Sequence, residues 1–422
     1  MRTAEQLAVD GGTPVRPTML PYGKGAALLD ADETAAAIGV LESRSLFRYY
    51  GPNLLGRTAA FEHALATTLG AEHAVATSSG TAALRTALAA LGIGCGDEVI
   101  VPAYTFIATV NAVVIAGAVP VFAEVDASLG LDADDVATKV SPRTAAVIPV
   151  HIENVACDLD ALLAVTKRHG LAVLEDAAQS MGATFRGKAL GTFGDMGAFS
   201  LQLEKNVTSG EGGAVVSDDE RLYLRAARYQ DQGGQFFTSH GGGRGAELAD
   251  PFVGENLRMT ELAAAIAGVQ LDRLPHILAA LRANKTRILE LLGTVAGLER
   301  RHRPDPEGDG GSSITWFVPS AEIAERFVNA LLAEGVPSTR MYGGQPVYAT
   351  PAILERRTAS GKGGPWHCAE HPCAVEYRTG MCPRTEDLAA RAVTVGVGVA
   401  YDQRDCADAA AAIAKVASHL LA

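Results

Sequence analysis

The segment HAVATSSGTAALRTALAAL (73–91) changes periodicity in its middle. HAVATSSG (73–80) is a short β-like run that ends in small residues, and TAALRTALAAL (81–91) has helical spacing. The same alternation continues downstream. DEVIVPAYTF (97–106) is a β-branched run followed by a helix over 107–116, and AVPVFAEVD (118–126), AAVIPVHI (145–152) and LAVLEDAA (171–178) are further apolar strands separated by helix-length segments. Continuous apolar strands alternating with helices predict an α/β protein with a buried, mostly parallel sheet and helices on both faces. Ligands bind such sheets at the carboxyl ends of the strands, so the polar residues just after each strand are the candidates for function.

Farther along, GTFGDMGAFSLQ (191–202) and GGAVVSDD (212–219) read as strands flanking a turn, and a long helical stretch over 259–292 leads out of the larger part. ITWFVPS (314–320), a helix over 321–335 and a closing helix over 408–422 predict a smaller α+β domain. The division falls into domains of 1–292 and 293–422. No repeat of 20–50 residues is visible. HGGGRGAELAD (240–250) reads equally as a flexible surface loop or a substrate lid.

The chain has 422 residues, enough for one large domain and a smaller one, and 48% of them are hydrophobic. Lys and Arg number 36 against 48 Asp and Glu, a formal charge of −12, which argues against nonspecific nucleic-acid binding. An acidic chain still holds a phosphate through local backbone N–H groups. MRTAEQLAVDGG at the start has no apolar core of a secretory signal, and the apolar runs fall short of membrane-spanning length, so a cytoplasmic location without a membrane partner is expected. Six cysteines make no disulfide framework in a chain of this size, and reduced thiols fit that location.

Four segments carry possible chemistry. SSGTAAL (78–84) follows a strand and opens a helix; Gly80 permits close approach of the backbone, and the helix start offers N–H groups to an anion, although small residues are common in such turns. Asp176 ends an apolar strand in LEDAAQ, where a carboxylate needs a positive partner, a protonated cofactor ring nitrogen or an ordinary structural one. Lys205 lies in SLQLEKNVTSGEGG (200–213) before a Gly-rich turn; desolvated near a carbonyl, a lysine forms Schiff bases, while most lysines are solvated surface residues. GENLRMTELAAAIA (254–267) is a turn into a helix, with Thr260 and Glu261 suited to its entry.

Together and in this order, SGTAAL, PAYTF, EDAAQ, S-x-x-x-x-K-N with GEGG, and GEN-x-R-M-T-E-L resemble the DegT/DnrJ/StrS family of sugar aminotransferases, over essentially the whole chain. The resemblance implies the fold-type I architecture of aspartate aminotransferase: a large cofactor-binding domain with an N-terminal arm, and a small C-terminal domain. It implies pyridoxal 5'-phosphate bound covalently through Lys205, with Asp176 pairing with the pyridinium nitrogen and Gln179 near the phenolic oxygen. Gly80, Thr81 and Ser200 would bind the phosphate, Phe106 would stack on the ring, and Asn256 would reach the phosphate of a neighbouring subunit in a homodimer with shared sites. The implied reaction passes an amino group from glutamate or glutamine to a keto sugar or keto cyclitol, in amino-sugar or antibiotic biosynthesis. Alternatives are an aminating dehydratase that makes an aromatic amine, and a non-catalytic cofactor-binding regulator; intact Lys205 and Asp176 disfavour the latter.

The chain departs from the family pattern in HIENVACDLD (151–160), where Asn154 replaces a glycine and Ala156 a proline. Asn tolerates the left-handed conformation, so the turn can survive, but acceptor specificity cannot be carried over here. Glu204 beside Lys205 is also unusual and reads as structural or substrate-facing. In WHCAEHPC (366–373), His367, Cys368, His371 and Cys373, with Cys382 beyond, match no standard zinc spacing, so no metal is assigned and a loop near the mouth of the site is the preferred reading.

Overall fold

The computed structural model describes residues 6–240, 252–359, 361, 364–367 and 376–421. Except for His240, the Gly-rich stretch 240–250 lies outside them, as do Cys368, His371 and Cys373. The strands in chain order are β1 (His73–Thr77), β2 (Glu98–Pro102), β3 (Val119–Ala123), β4 (Thr144–Val147), β5 (Ala172–Asp176), β6 (Thr184–Phe185), β7 (Lys188–Ala189), β8 (Met196–Ser200), β9 (Gly213–Ser217), β10 (Glu299–Arg300), β11 (Ser313–Phe317), β12 (Ser338–Thr339) and β13 (Ala392–Gly396).

A seven-stranded sheet has the order β1-β9-β8-β5-β4-β2-β3. Pairs from β8 through β3 are parallel, and β9 runs antiparallel to both β1 and β8. Both faces are covered, as the continuous apolar runs predict. Val75 and Val215 enter one core while their neighbours Ala74, Ala76, Ala214 and Val216 enter another on the opposite face. The helices begin and end where side chains satisfy their free backbone groups. In the helix Gly80–Leu91, the Ser79 hydroxyl accepts from Ala82 N–H, and Gly92 closes the other end at φ 79°.

β4 is shorter than the apolar run 145–152. It ends at Val147, before Pro149, which has no N–H for a ladder. The chain then follows the edge of β5: Asp176 N–H donates to the Pro149 carbonyl at 2.8 Å and His151 N–H to the Asp176 carbonyl at 3.2 Å. This brings the segment 151–154 beside the end of β5.

The stretch 259–292 is two helices, Glu261–Asp272 and Leu274–Leu292, with Pro275 in the first turn of the second, where its missing N–H costs nothing. The second helix spans both parts of the molecule. Leu274 and Leu278 pack into a core under the first sheet, and Ile277, Leu281 and Ile288 into the core of the second. The second sheet is antiparallel, in the order β10-β11-β13-β12, and is covered by the helices Ala321–Ala333 and Gln403–Leu420. Leu7 and Leu20 of the N-terminal arm join this second core.

Cys157, Cys382 and Cys406 are free and buried. Cys95 is disulfide-bonded, so the expectation of wholly reduced thiols is corrected for that residue. Among the described residues no helix is long and apolar enough to cross a membrane.

Candidate active site

The carboxyl ends of β1, β5 and β8, together with the loop after β2, converge on a cavity of about 470 Å³. Gly80, Thr81, Phe106, Asp176, Gln179, Ser200 and Lys205, dispersed over more than a hundred positions of sequence, all line it. Asn256 does not; it is exposed, on a turn whose backbone bridges to Asp231.

At the end of β1, a Cβ on Gly80 would stand 2.8 Å from the Ser200 Cβ, and one on Gly213 would collide with the Ser79 carbonyl oxygen. Glycine at both positions therefore lets the ends of β1, β8 and β9 close on each other. The helix Gly80–Leu91 starts at the cavity with its N-terminal end, which favours an anion. Ser200 places a hydroxyl against this turn.

Asp176 is buried at the end of β5 and, among the described residues, has no cationic hydrogen-bond partner. Its Oδ2 accepts from the Thr109 hydroxyl at 2.7 Å and its Oδ1 from Ala178 N–H at 3.1 Å. Burial raises its pKa against these hydrogen bonds. A carboxylate so placed is a ready partner for a cation entering the cavity. Behind it, fully buried His151 meets Glu175 at 2.9 Å, and Glu175 also accepts from the N–H groups of Gly191 and Gly194. Burial works to raise the Glu175 pKa, but His151 and these donors bring it below its usual value.

Lys205 sits in the turn after β8, its N–H donating to the Gln202 carbonyl and its carbonyl accepting from Gly25 N–H at 3.3 Å. Burial, then the neighbouring Lys24 ammonium, lowers its pKa, with Glu153 and Asp176 opposing. A lysine with a lowered pKa has more of the free amine that attacks carbonyls. Phe106 is 55% exposed, unusual for a phenylalanine, and tilts toward Tyr342 at the cavity. Gln179 is tied on both sides: its Nε2 donates to the Tyr342 hydroxyl at 2.9 Å and its Oε1 accepts from Glu153 N–H at 3.2 Å.

Three contributors escaped the sequence reading. Glu153, at φ 50°, turns its carboxylate into the cavity wall and accepts from Lys24 Nζ and the Ser312 hydroxyl, each at 3.3 Å. Lys24 reaches in from the N-terminal arm and is 6% exposed. Tyr342 comes from the second part of the chain, in a turn at φ 54°. The departure at HIENV pointed to Glu153's segment; neither Lys24 nor Tyr342 sits in a motif. Asn154 takes the left-handed conformation, φ 65°, so the turn does survive loss of its glycine.

Glu204 faces a cavity. It lines this cavity and a neighbouring one of about 620 Å³, and Glu153, Met341 and Tyr342 are shared by both. Lys205 is the lone lysine or arginine among the described residues lining the two cavities, against the carboxylates of Glu153, Asp176, Glu204 and Glu211.

The donors, the carboxylate and the amine fit pyridoxal phosphate on three counts: a helix N-terminus at Gly80 that packs against Ser200 too closely for a side chain, a buried carboxylate with no cation hydrogen-bonded to it among the described residues, and a desolvated lysine.

Comparison with known proteins agrees with this chemistry. Residues 28–414 match the DegT/DnrJ/EryC1/StrS aminotransferase family. An L-glutamine:2-deoxy-scyllo-inosose aminotransferase of Streptoalloteichus tenebrarius is 35% identical over 436 aligned positions, covering 98% of each chain. Among solved structures, DesI in the presence of its TDP-sugar product superposes with a TM-score of 0.80 at 29% identity, over 98% of this chain and 96% of that one. 3-Amino-5-hydroxybenzoic acid synthase does so with a TM-score of 0.79 at 28% identity, over 96% and 99%.

Proposed function

We propose a reaction for this chain, which belongs to the DegT/DnrJ/EryC1/StrS aminotransferase family and is a pyridoxal-phosphate-dependent aminotransferase of fold type I: the amino nitrogen of L-glutamine passes to the ketone of a cyclitol of the 2-deoxy-scyllo-inosose class. The observation that carries it is the meeting of Lys205, Asp176 and the Gly80 turn in one cavity. The relative that names this reaction aligns over nearly the full length of both chains.

The charge of the two cavities supports an unphosphorylated acceptor. A nucleotide diphosphate needs cations, and the described lining offers Lys205 as its one cation against four carboxylates, of which Glu153 is already paired with Lys24. A polyol ketone brings hydroxyls, which carboxylates accept well. The same argument favours glutamine, with its neutral side chain, over glutamate. In this reading Glu153, held by Lys24, and Glu204 orient the acceptor's hydroxyl groups.

Pyridoxal phosphate, when bound, would supply the electron sink for transfer of the amino nitrogen. Lys205 is assigned its covalent attachment, and Gly80, Thr81 and Ser200 its phosphate. Asp176, fixed by Thr109 and Ala178, would keep a proton on the cofactor's ring nitrogen. Lys205 Nζ then moves a proton from the donor's Cα, a role its lowered pKa suits near neutral pH. Gln179 would hold the cofactor's phenolic oxygen and Phe106 would pack against its ring. Asn256, exposed and away from its own cavity, is assigned to the phosphate of a partner subunit in a homodimer.

The test is direct. Holoenzyme reduced with borohydride should carry the cofactor on the peptide that contains Lys205, and L-glutamine with 2-deoxy-scyllo-inosose should give the aminocyclitol by mass spectrometry. Amination of a nucleotide keto sugar in preference to the cyclitol, or an aromatic amine as product, would overturn the acceptor assignment.

A further inference from the structure

A second cleft opens between the helix Leu274–Leu292 and the segment 300–311 that leads into β11. It encloses about 500 Å³, and Lys285, Arg300 and Arg303 line both it and an adjoining water-sized void that Arg301 and Ser313 help enclose. The cleft shares no lining residue with the active-site cavity, and the void meets the neighbouring cavity at Ser313.

The buried charges here do not balance. Lys285 is 7% exposed, Arg301 6% and Asp309 4%. Asp309 Oδ2 accepts from Lys285 Nζ at 2.5 Å and from Arg303 Nη1 at 3.3 Å, so one carboxylate serves two cations. Among the described residues Arg301 has no carboxylate: Nε and Nη1 donate to the Ser128 and Ile152 carbonyls at 2.7 and 3.0 Å, and its buried Nη2 has no partner there. Arg300 forms no ion pair among the described residues. Glu290 and Glu307 also line the wider part without pairing with these cations. Burial, with Arg303 and Arg301 adding to it, holds Lys285 at about 8 despite Asp309, and burial brings Arg301 down to about 10. A buried excess of positive charge is costly unless an anion meets it, and guanidinium forks beside a hydroxyl match the oxygens of phosphate.

We propose that this cleft binds a phosphate group, free or as the phosphomonoester of a small metabolite. The site is also wired to the acceptor wall. Arg301 holds the carbonyl of Ile152, the residue before Glu153, and Gly310 N–H donates to the Asn154 carbonyl at 3.1 Å. A phosphate in the cleft, on Arg300 and Arg303, would thus lie beside the residue that holds the backbone next to the carboxylate assigned to the acceptor.

The experiment uses holoenzyme saturated with pyridoxal phosphate, so that the cradle at Gly80 is already filled. Calorimetry at constant ionic strength compares inorganic phosphate and a hexose 6-phosphate with chloride. Phosphate should bind where chloride does not, and tighter binding of the hexose phosphate would identify the ester as the form preferred. Arg300→Gln, which breaks no ion pair among the described residues, should weaken binding about tenfold while amination by saturated enzyme is unchanged. Arg303→Gln should weaken it further. Heat no greater than that of chloride, or an undiminished affinity in folded Arg300→Gln, would overturn the proposal.

Discussion

Lys24 Nζ lies 3.3 Å from Glu153 Oε2, joining the N-terminal arm to the wall of the active-site cavity across 129 positions of sequence. Burial disfavours both charges, yet each holds the other ionised. The Lys24 pKa stands above its usual value and that of Glu153 below. If the pair faces the acceptor, its removal should affect the two half-reactions differently. Glu153→Gln keeps the shape and an acceptor oxygen but loses the charge. The half-reaction with glutamine, followed by the cofactor's visible band, should change little. The kcat/KM for the keto cyclitol should fall roughly tenfold or more, the worth of a hydrogen bond to a charged group. Equal losses in both half-reactions would refute the acceptor-side role.

Lys24 also bears on Lys205. Its ammonium lowers the Lys205 pKa, second only to burial, while Glu153 raises it. Lys24→Gln removes the lowering charge and frees Glu153 to act on Lys205, so both consequences have the same sign. The Lys205 pKa should move up toward that of an ordinary lysine. In the cofactor-free protein, the pH at which Lys205 reacts half-maximally with an amine-directed reagent should rise; a fall or no change counts against the electrostatic link.

Asp176→Asn separates folding from chemistry. Burial raises the pKa of Asp176, so above its unfolded pKa the empty site's carboxylate destabilises the fold. The cofactor-free variant should therefore melt at or above the wild type near neutral pH. With pyridoxal phosphate the order should reverse, because the wild type gains more from a ligand it binds better. Turnover should drop roughly 10²- to 10³-fold, as when other preorganised electrostatic partners are removed. Near-normal turnover would exclude the assigned role.

The residues that the sequence exposed share one property: their chemistry is local. Gly80, Asp176, Ser200 and Lys205 each lie at or shortly after a strand end, and their neighbours identify the turn. The alternating apolar runs likewise yield the parallel sheet, since each strand declares its own burial. What the sequence hid is long-range. Nothing near Lys24 announces that its ammonium pairs with Glu153, and Tyr342 reaches Gln179 from another sheet's connections. Boundaries failed where one residue overrides a periodicity, as Pro275 does in 259–292 and Pro149 after β4. The Cys95 disulfide was also invisible to a count of cysteines.

The contact between Gly80 and Ser200 is steric and can be tested as such. Gly80→Ala places a Cβ 2.8 Å from the Ser200 Cβ and pushes apart the turn assigned to the phosphate. The cost should be about 1 to 3 kcal/mol, read as weaker cofactor binding with a smaller effect on the melting of cofactor-free protein. Ser200→Gly on the Gly80→Ala background removes the clashing atom and should recover part of that affinity, although Ser200→Gly alone should lower it. Simple additivity of the two losses would show that the glycine serves no close approach here.

Asn256 alone of the assigned cofactor ligands stands outside its own cavity, exposed on the turn before the helix Glu261–Asp272. If it completes the phosphate site of a partner subunit, the dimer and the cofactor must stabilise each other by mass action. Removing cofactor should weaken the dimer in sedimentation, and Asn256→Ala should lower cofactor affinity with the Lys205 attachment intact. The decisive test mixes two inactive variants, Lys205→Ala and Asn256→Trp. In a mixed dimer one site carries both lesions and the other carries neither, so activity should return toward one working site per mixed dimer. A fully active monomer, or no recovery despite proven subunit exchange, would mean that each chain completes its own site and that Asn256 serves only its turn.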